Sequence, residues 1–151
     1  MKLDLGCGKN KHEGFIGVDK RDIPGVDIIQ DLEQGLPNIA SNSCSEILAS
    51  HVMEHIHDIF PLMKDCHRVL RNEGKMTILV PSPKSPYFFG DPTHVKFYGL
   101  SSFSTFFGHE GKGMERADYG VDYKFKTVEN TEQENEFDKT IEIKTVLEAM
   151  K

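Results

Sequence analysis

Leu3-Asp4-Leu5-Gly6-Cys7-Gly8 is a short apolar strand pattern that runs straight into a G-x-G turn. The missing side chains at Gly6 and Gly8 let a ligand approach the backbone and its N–H groups. Alone, a G-x-G turn is weak, and the residues downstream strengthen it. Phe15-Ile16-Gly17-Val18-Asp19 is a second apolar run, and its closing carboxylate is suited to accept hydrogen bonds from both hydroxyls of a ribose. Ile28-Ile29-Gln30-Asp31-Leu32 is a third, closed by Asp31. Three successive strands that end in glycine or acidic residues line one edge of a sheet, where ligands bind in open α/β folds. That edge reads as a nucleoside site.

Outward from this edge, apolar and mostly β-branched runs at 3–5, 15–18, 26–29, 47–49 and 76–80 predict five strands of a largely buried parallel sheet. Between the fourth and fifth, Ile59, Leu62, Met63, Cys66, Val69 and Leu70 share one helical face. Asp58 is placed to cap that helix, Pro61 is tolerable in its first turn, and Gly74 is the predicted stop. A strand–helix–strand crossover follows. Residues 84–119 interleave loop residues with Tyr87, Phe88, Phe89, Phe97, Tyr98, Phe103, Phe106 and Phe107, which reads as a lid or a satellite core. Alternating runs at 121–128 and 140–147 predict an antiparallel hairpin, joined by a polar, solvated connection over 129–138.

The length of 151 residues suits a single domain, 1–151. A formal net charge of −6 with scattered Lys and Arg gives no footprint for gripping a phosphate backbone, so no nucleic acid is expected. The polar opening residues argue against a signal peptide and no run is long enough to span a bilayer, so no membrane and a cytoplasmic location are expected. Cys7, Cys44 and Cys66 are odd in number and lack C-x-x-C spacing, which predicts free, buried thiols.

Leu-Asp-Leu-Gly-Cys-Gly, then Gly17-Val18-Asp19, then Asp31-Leu32 resemble the class I S-adenosylmethionine-dependent methyltransferases. The resemblance continues through His51-Val52-Met53-Glu54-His55 after the fourth strand, and through the run from His67 to Lys75, which is similar to that family's helix end and turn into strand five. More weakly, it includes Asp91-Pro92-Thr93-His94-Val95 followed by Ser102-Phe103. It implies an α/β, Rossmann-like class I methyltransferase sheet, mainly parallel, with an antiparallel C-terminal edge hairpin and helices on both faces. It also implies S-adenosylmethionine as cofactor and methyl transfer to a small-molecule acceptor. By position, Asp4, Gly6, Cys7 and Gly8 surround the methionine part. Asp19, with Lys20 beside it, holds the ribose, Asp31 and Leu32 flank the adenine, and Ser50 and His51 lie beside the sulfonium. Two departures stand out. Asn10 takes the place of a third glycine, and so few residues separate Gly8 from the second strand that the usual first helix must be cut short. The chain also starts at strand one, without the leading helix that many members use as a lid; closure is expected from elsewhere, with 84–119 the substrate or lid region.

Because a sulfonium is already activated, such an enzyme needs alignment of reactants more than a catalytic triad. His94 and His51 are the candidate acceptors of the proton that leaves the methyl acceptor. His94 is also suited to anchor the Asp91-Pro92 turn, and Asp4 to cap a backbone turn. His12, His67 and His109 read as surface or structural residues. His51-x-x-Glu54-His55 matches the H-x-x-E-H zinc peptidase pattern, but a zinc hydrolase leaves the three strand ends unexplained, so no metal ligand is assigned. A milder reading, a divalent ion held near the acceptor as in some relatives, stays open, as does a non-catalytic cofactor-binding module. After strand four the chain reads Ser50-His51-Val52-Met53 rather than the Pro-Pro-aromatic signature of DNA amino-methyltransferases.

Overall fold

The five predicted runs become the parallel strands β1 (Lys2–Leu5), β2 (Ile16–Asp19), β3 (Ile28–Ile29), β4 (Cys44–Ser50) and β5 (Leu70–Pro81) in a computed structural model that describes residues 1–108 and 116–151. His109 and part of the 84–119 segment lie outside the described residues. The helices are α1 (Ile59–Val69), α2 (Tyr87–Gly90) and α3 (Ser102–Phe106), and the chain closes with β6 (Lys124–Glu134) and β7 (Ile141–Met150). All seven strands form one sheet in the order β3-β2-β1-β4-β5-β7-β6, with β7 antiparallel to both of its neighbours.

Register explains the core. Leu3 pairs with Ile47, Ile47 with Met76 and Met76 with Leu147, so one sheet face carries a continuous row of fully buried apolar side chains. Helix α1 covers this face with Leu62, Met63, Cys66 and Val69. Each such side chain contributes about 1.5–3 kcal/mol on burial. Asp58 caps α1 by accepting a hydrogen bond from the Phe60 N–H at 3.0 Å. Among the described residues no helix is long and apolar enough to cross a membrane.

Three expectations are corrected. Helix α1 stops at Val69, not at Gly74, because the Leu70 side chain is fully buried in the sheet opposite Cys44 and draws its residue into β5. Residues 71–74 then bulge, with Glu73 in the left-handed region at φ 61°. Among the described residues, helices do not flank both faces in the expected way. The sheet runs one way from β1 to β3 and the other way through β4 and β5, so right-handed crossovers place the two sets of connections on opposite faces. Residues 6–15 and 20–27 contain no helix, and the face carrying Leu48, Thr77 and Leu79 stays half-buried. Finally, the acidic stretch after Val128 is mostly strand: β6 runs to Glu134, and only 135–140 form the turn. Its polar side chains alternate on an edge strand, where one face and one row of backbone groups meet water.

Candidate active site

The parallel strands end together, and three connected cavities open beyond them. The first, of about 460 Å³, is bounded by Gly6, Asp19, Lys20, Asp31, Leu32 and His51. Gly6 sits at φ 63° and donates its N–H to the Val18 carbonyl at 2.7 Å; a β-carbon there would stand 2.5 Å from Val52 Cγ2. Only glycine fits such a left-handed, closely approached position. Gly8 does not line this cavity but donates its N–H to Asp19 Oδ2 at 3.0 Å. Asp19 is buried, and Arg21 grips it with both ends of its guanidinium, Nε to Oδ1 at 3.0 Å and Nη2 to Oδ2 at 3.1 Å. The Arg21 hydrogen bond, helped by the Arg21 and Gly8 backbone N–H groups, outweighs burial and draws the Asp19 pKa down to about 2. Asp31 caps a 3-10 turn at Leu32–Gln34 by accepting from the Glu33 N–H.

The second cavity shares Gly6 with the first and is lined by Asp4, Cys7, Asn10, His12, Ser50 and Phe137. Asp4 accepts from the His12 backbone N–H and faces His12 Nδ1, both at 2.9 Å. The expected turn-capping role of Asp4 is therefore present, and His12 is tied to the strand end. Burial pushes the Cys7 thiol up, and all three cysteines are free and buried.

The third cavity meets the first at His51 and His55 and the second at Phe137. Glu54, Asp91, His94 and Asn135 also line it. His51 follows β4 at φ 52°, a left-handed conformation that a non-glycine residue holds only where its surroundings impose it. Its Nε2 lies 2.8 Å from Glu142 Oε2 and its Nδ1 3.5 Å from Glu54 Oε1. Burial opposes the imidazolium, but the two carboxylates prevail and His51 is pushed up to about 9, while Glu142 is lowered in step. Gln133 and Asn135 each donate to Glu142 at 2.9 Å and fix its carboxylate.

His94 anchors its segment as expected: its backbone N–H bonds the Asp91 carbonyl, and its Nδ1 lies 3.2 Å from the Phe88 carbonyl. His67 is structural, with Nε2 on the Met150 carbonyl. The aromatics of 84–119 divide: Tyr98, Phe103 and Phe107 join the core, whereas Tyr87, Phe89 and Phe97 are exposed. The H-x-x-E-H pattern does not form on a helix. Met53–His55 is a single 3-10 turn, so His51 turns to Glu142 and His55 to the Thr93 carbonyl, and the zinc peptidase geometry is absent.

Sequence reasoning missed Arg21, Glu142, Asn135 and Phe137. Arg21 is two residues from a recognised carboxylate and was legible in principle. The other three reach the site only because the β6–β7 hairpin folds back over the strand ends, with Glu142 91 positions after His51.

The profile of the methyltransferase-domain family matches residues 3–78, half of the chain. No curated protein matches it. Among solved structures, an S-adenosylmethionine-dependent methyltransferase from Archaeoglobus fulgidus is 18% identical with a TM-score of 0.66, over 97% of this chain and 85% of that one. The 1,6-didemethyltoxoflavin-N1-methyltransferase of Burkholderia thailandensis, solved with 1,6-didemethyltoxoflavin and S-adenosylhomocysteine, is 12% identical with a TM-score of 0.67, over 99% and 71%. At these identities the structural likeness speaks for the fold, and it agrees with the family match over β1 to β5. The chain belongs to the methyltransferase-domain family and is a class I S-adenosylmethionine-dependent methyltransferase.

Proposed function

We propose that this single domain transfers a methyl group to a small-molecule acceptor bound in the third cavity, in the cytoplasm. One observation carries the reading: His51 forms a common wall between the nucleoside-side cavity and the third cavity. The Burkholderia thailandensis neighbour, solved with bound 1,6-didemethyltoxoflavin, supports a small molecule. The cofactor supplies a methyl group already activated on a sulfonium.

The chain's own residues do the rest. Asp19, with Lys20 beside it, accepts the ribose hydroxyls once Arg21 swings aside, and Asp31 and Leu32 border the adenine. The Gly6 cradle, Asp4, Cys7 and Ser50 hold the methionine end; Gly8 keeps the Asp19 carboxylate in place. Phe137, almost fully exposed on the hairpin turn, caps two cavities and excludes water when an acceptor is bound. The exposed aromatics of 84–119 form the other side of the lid. His51 is charged near neutral pH, so it orients an acceptor by charge. His94, whose Nδ1 is committed to the Phe88 carbonyl, keeps an Nε2 lone pair to take the departing proton.

Calorimetric titration with S-adenosylmethionine and S-adenosylhomocysteine, repeated on Asp19→Ala, tests the cofactor end. Binding that is lost in the variant is expected; no binding by the unaltered protein would sink the reading. With the cofactor end established, a screen of small acceptors tests transfer, and tight cofactor binding without any turnover would instead favour a binding module.

A further inference from the structure

We propose that Glu54, His55 and His94 form a binding site for a divalent first-row transition-metal ion on the wall of the third cavity. The three residues offer one ligand atom each, all within 4.8 Å of one another. Ligand atoms at about 2.1 Å from a metal stand about 3–3.5 Å apart, so the site closes on an ion through side-chain shifts of about an ångström.

Four features point to a cation. Glu54 is 2% exposed, and its Oε2 is buried with no hydrogen-bond partner among the described residues. A buried carboxylate oxygen is costly to leave unpaired, which makes it the natural first ligand. Its other oxygen lies 3.9 Å from His94 Nε2, beyond hydrogen-bonding reach, and 3.5 Å from Nδ1 of the charged His51. Next, both ligating histidines are fixed from behind. His55 Nδ1 lies 3.1 Å from the Thr93 carbonyl and His94 Nδ1 3.2 Å from the Phe88 carbonyl. A carbonyl only accepts, so each Nδ1 carries a proton, and in the neutral imidazole each Nε2 presents a lone pair, the arrangement that orients metal-binding imidazoles. Third, a lone pair on His94 Nε2 facing a carboxylate oxygen is repulsive unless a cation lies between, and 3.9 Å is too far for one proton to bridge. Lastly, Asp91 adds a second negative charge: its Oδ1 is engaged by Thr93 and its Oδ2 stands 3.6 Å from His94 Nε2.

Two imidazoles and a carboxylate suit zinc, cobalt or manganese better than calcium or magnesium, which take oxygen-rich sites. His51 is not a ligand, because Glu142 holds its Nε2. Three protein ligands leave coordination positions open toward the cavity, where an acceptor oxygen, a hydroxyl or carboxylate, would bind. This last role rests on the proposed function; the ion site itself does not. With an ion bound, the His94 lone pair would be taken, and the ion would instead acidify an acceptor hydroxyl bound to it, whose proton would pass to solvent water.

The test is titration of the chelator-stripped, full-length protein with cobalt(II), read by visible d–d absorption, followed by zinc displacement. One cobalt per chain is expected, displaced by zinc and weakened at least about tenfold in Glu54→Gln, His55→Ala and His94→Ala. His57→Ala, at an exposed histidine bonded to Glu33, leaves binding unchanged. His55, only partly buried, is the variant that retains the fold should Glu54→Gln not fold. Absence of cobalt binding, or equal binding by His55→Ala and the unaltered protein, overturns the proposal. S-adenosylhomocysteine titration of the same samples separates the two readings. Cobalt binding without nucleoside binding keeps the ion site and removes the methyltransferase reading, and the reverse removes the ion site alone.

Discussion

At the scale of single residues, Asp19 and Arg21 combine stability and access. The guanidinium holds both Asp19 oxygens, so if Asp19 holds the ribose as proposed, cofactor entry displaces an ion pair whose cationic partner is exposed. A pair with so exposed a partner is weak, because water screens it. Arg21→Ala is therefore expected to tighten S-adenosylhomocysteine up to about fivefold by calorimetry; weaker binding would mean that Arg21 itself holds the ligand. The same pair sets an acid limit. The Asp19 pKa is lowered from 3.8 to about 2 in the folded state, so its stabilisation is complete above pH 3.8 and is lost as pH falls through about 2. The loss counts the Gly8 and Arg21 backbone N–H hydrogen bonds as well as the screened pair, and is on the order of 1–2 kcal/mol. Urea unfolding between pH 5 and pH 2 should show it, and Asp19→Asn should flatten that part of the curve.

At the scale of elements, the hairpin makes the sharpest forecast. Leu147 on β7 is fully buried opposite Met76, whereas Val128 falls at the β6 bulge and is half exposed. Leu147→Ala should cost about 2–5 kcal/mol in denaturant unfolding, and Val128→Ala less than about 0.5 kcal/mol; comparable losses would contradict the register. Nothing in the local sequence separates these two residues, since both close alternating runs. The parallel strands were legible because strands buried on the sheet interior are short, continuous apolar runs. The α1 start was legible because Asp58 caps within its own turn. Its end was not, since burial of Leu70 against β4 overrides the local stop at Gly74. That Gly6, Asp19 and Asp31 gather at one cavity was likewise legible, since each lies at or within two residues of the end of its own strand. Glu142 and Asn135 were not, because a charged or amide residue in an alternating edge hairpin looks solvent-facing until the turn is placed over His51.

At the scale of the whole molecule, the cavity proposed for the nucleoside is built from β1, β2, the turn after β3 and the residues after β4, so one ligand bound there would tie four successive parts of the chain together. The first two connections supply no helix to brace those strand ends. Anything that binds only the folded state stabilises it by mass action, about 2.7 kcal/mol at a hundred times the dissociation constant. In a domain of this size each kcal/mol moves the midpoint by about 2–4 °C. Saturating S-adenosylhomocysteine should therefore raise Tm by about 5–11 °C. Because the ligand braces the sheet as a unit, fluorescence and far-ultraviolet circular dichroism should report the same shift. Asp19→Ala should lose most of the shift while Val128→Ala keeps it. A shift seen by only one probe would mean that the strand ends unfold separately from the hairpin half, and that the cofactor site is a local rather than a global element of stability.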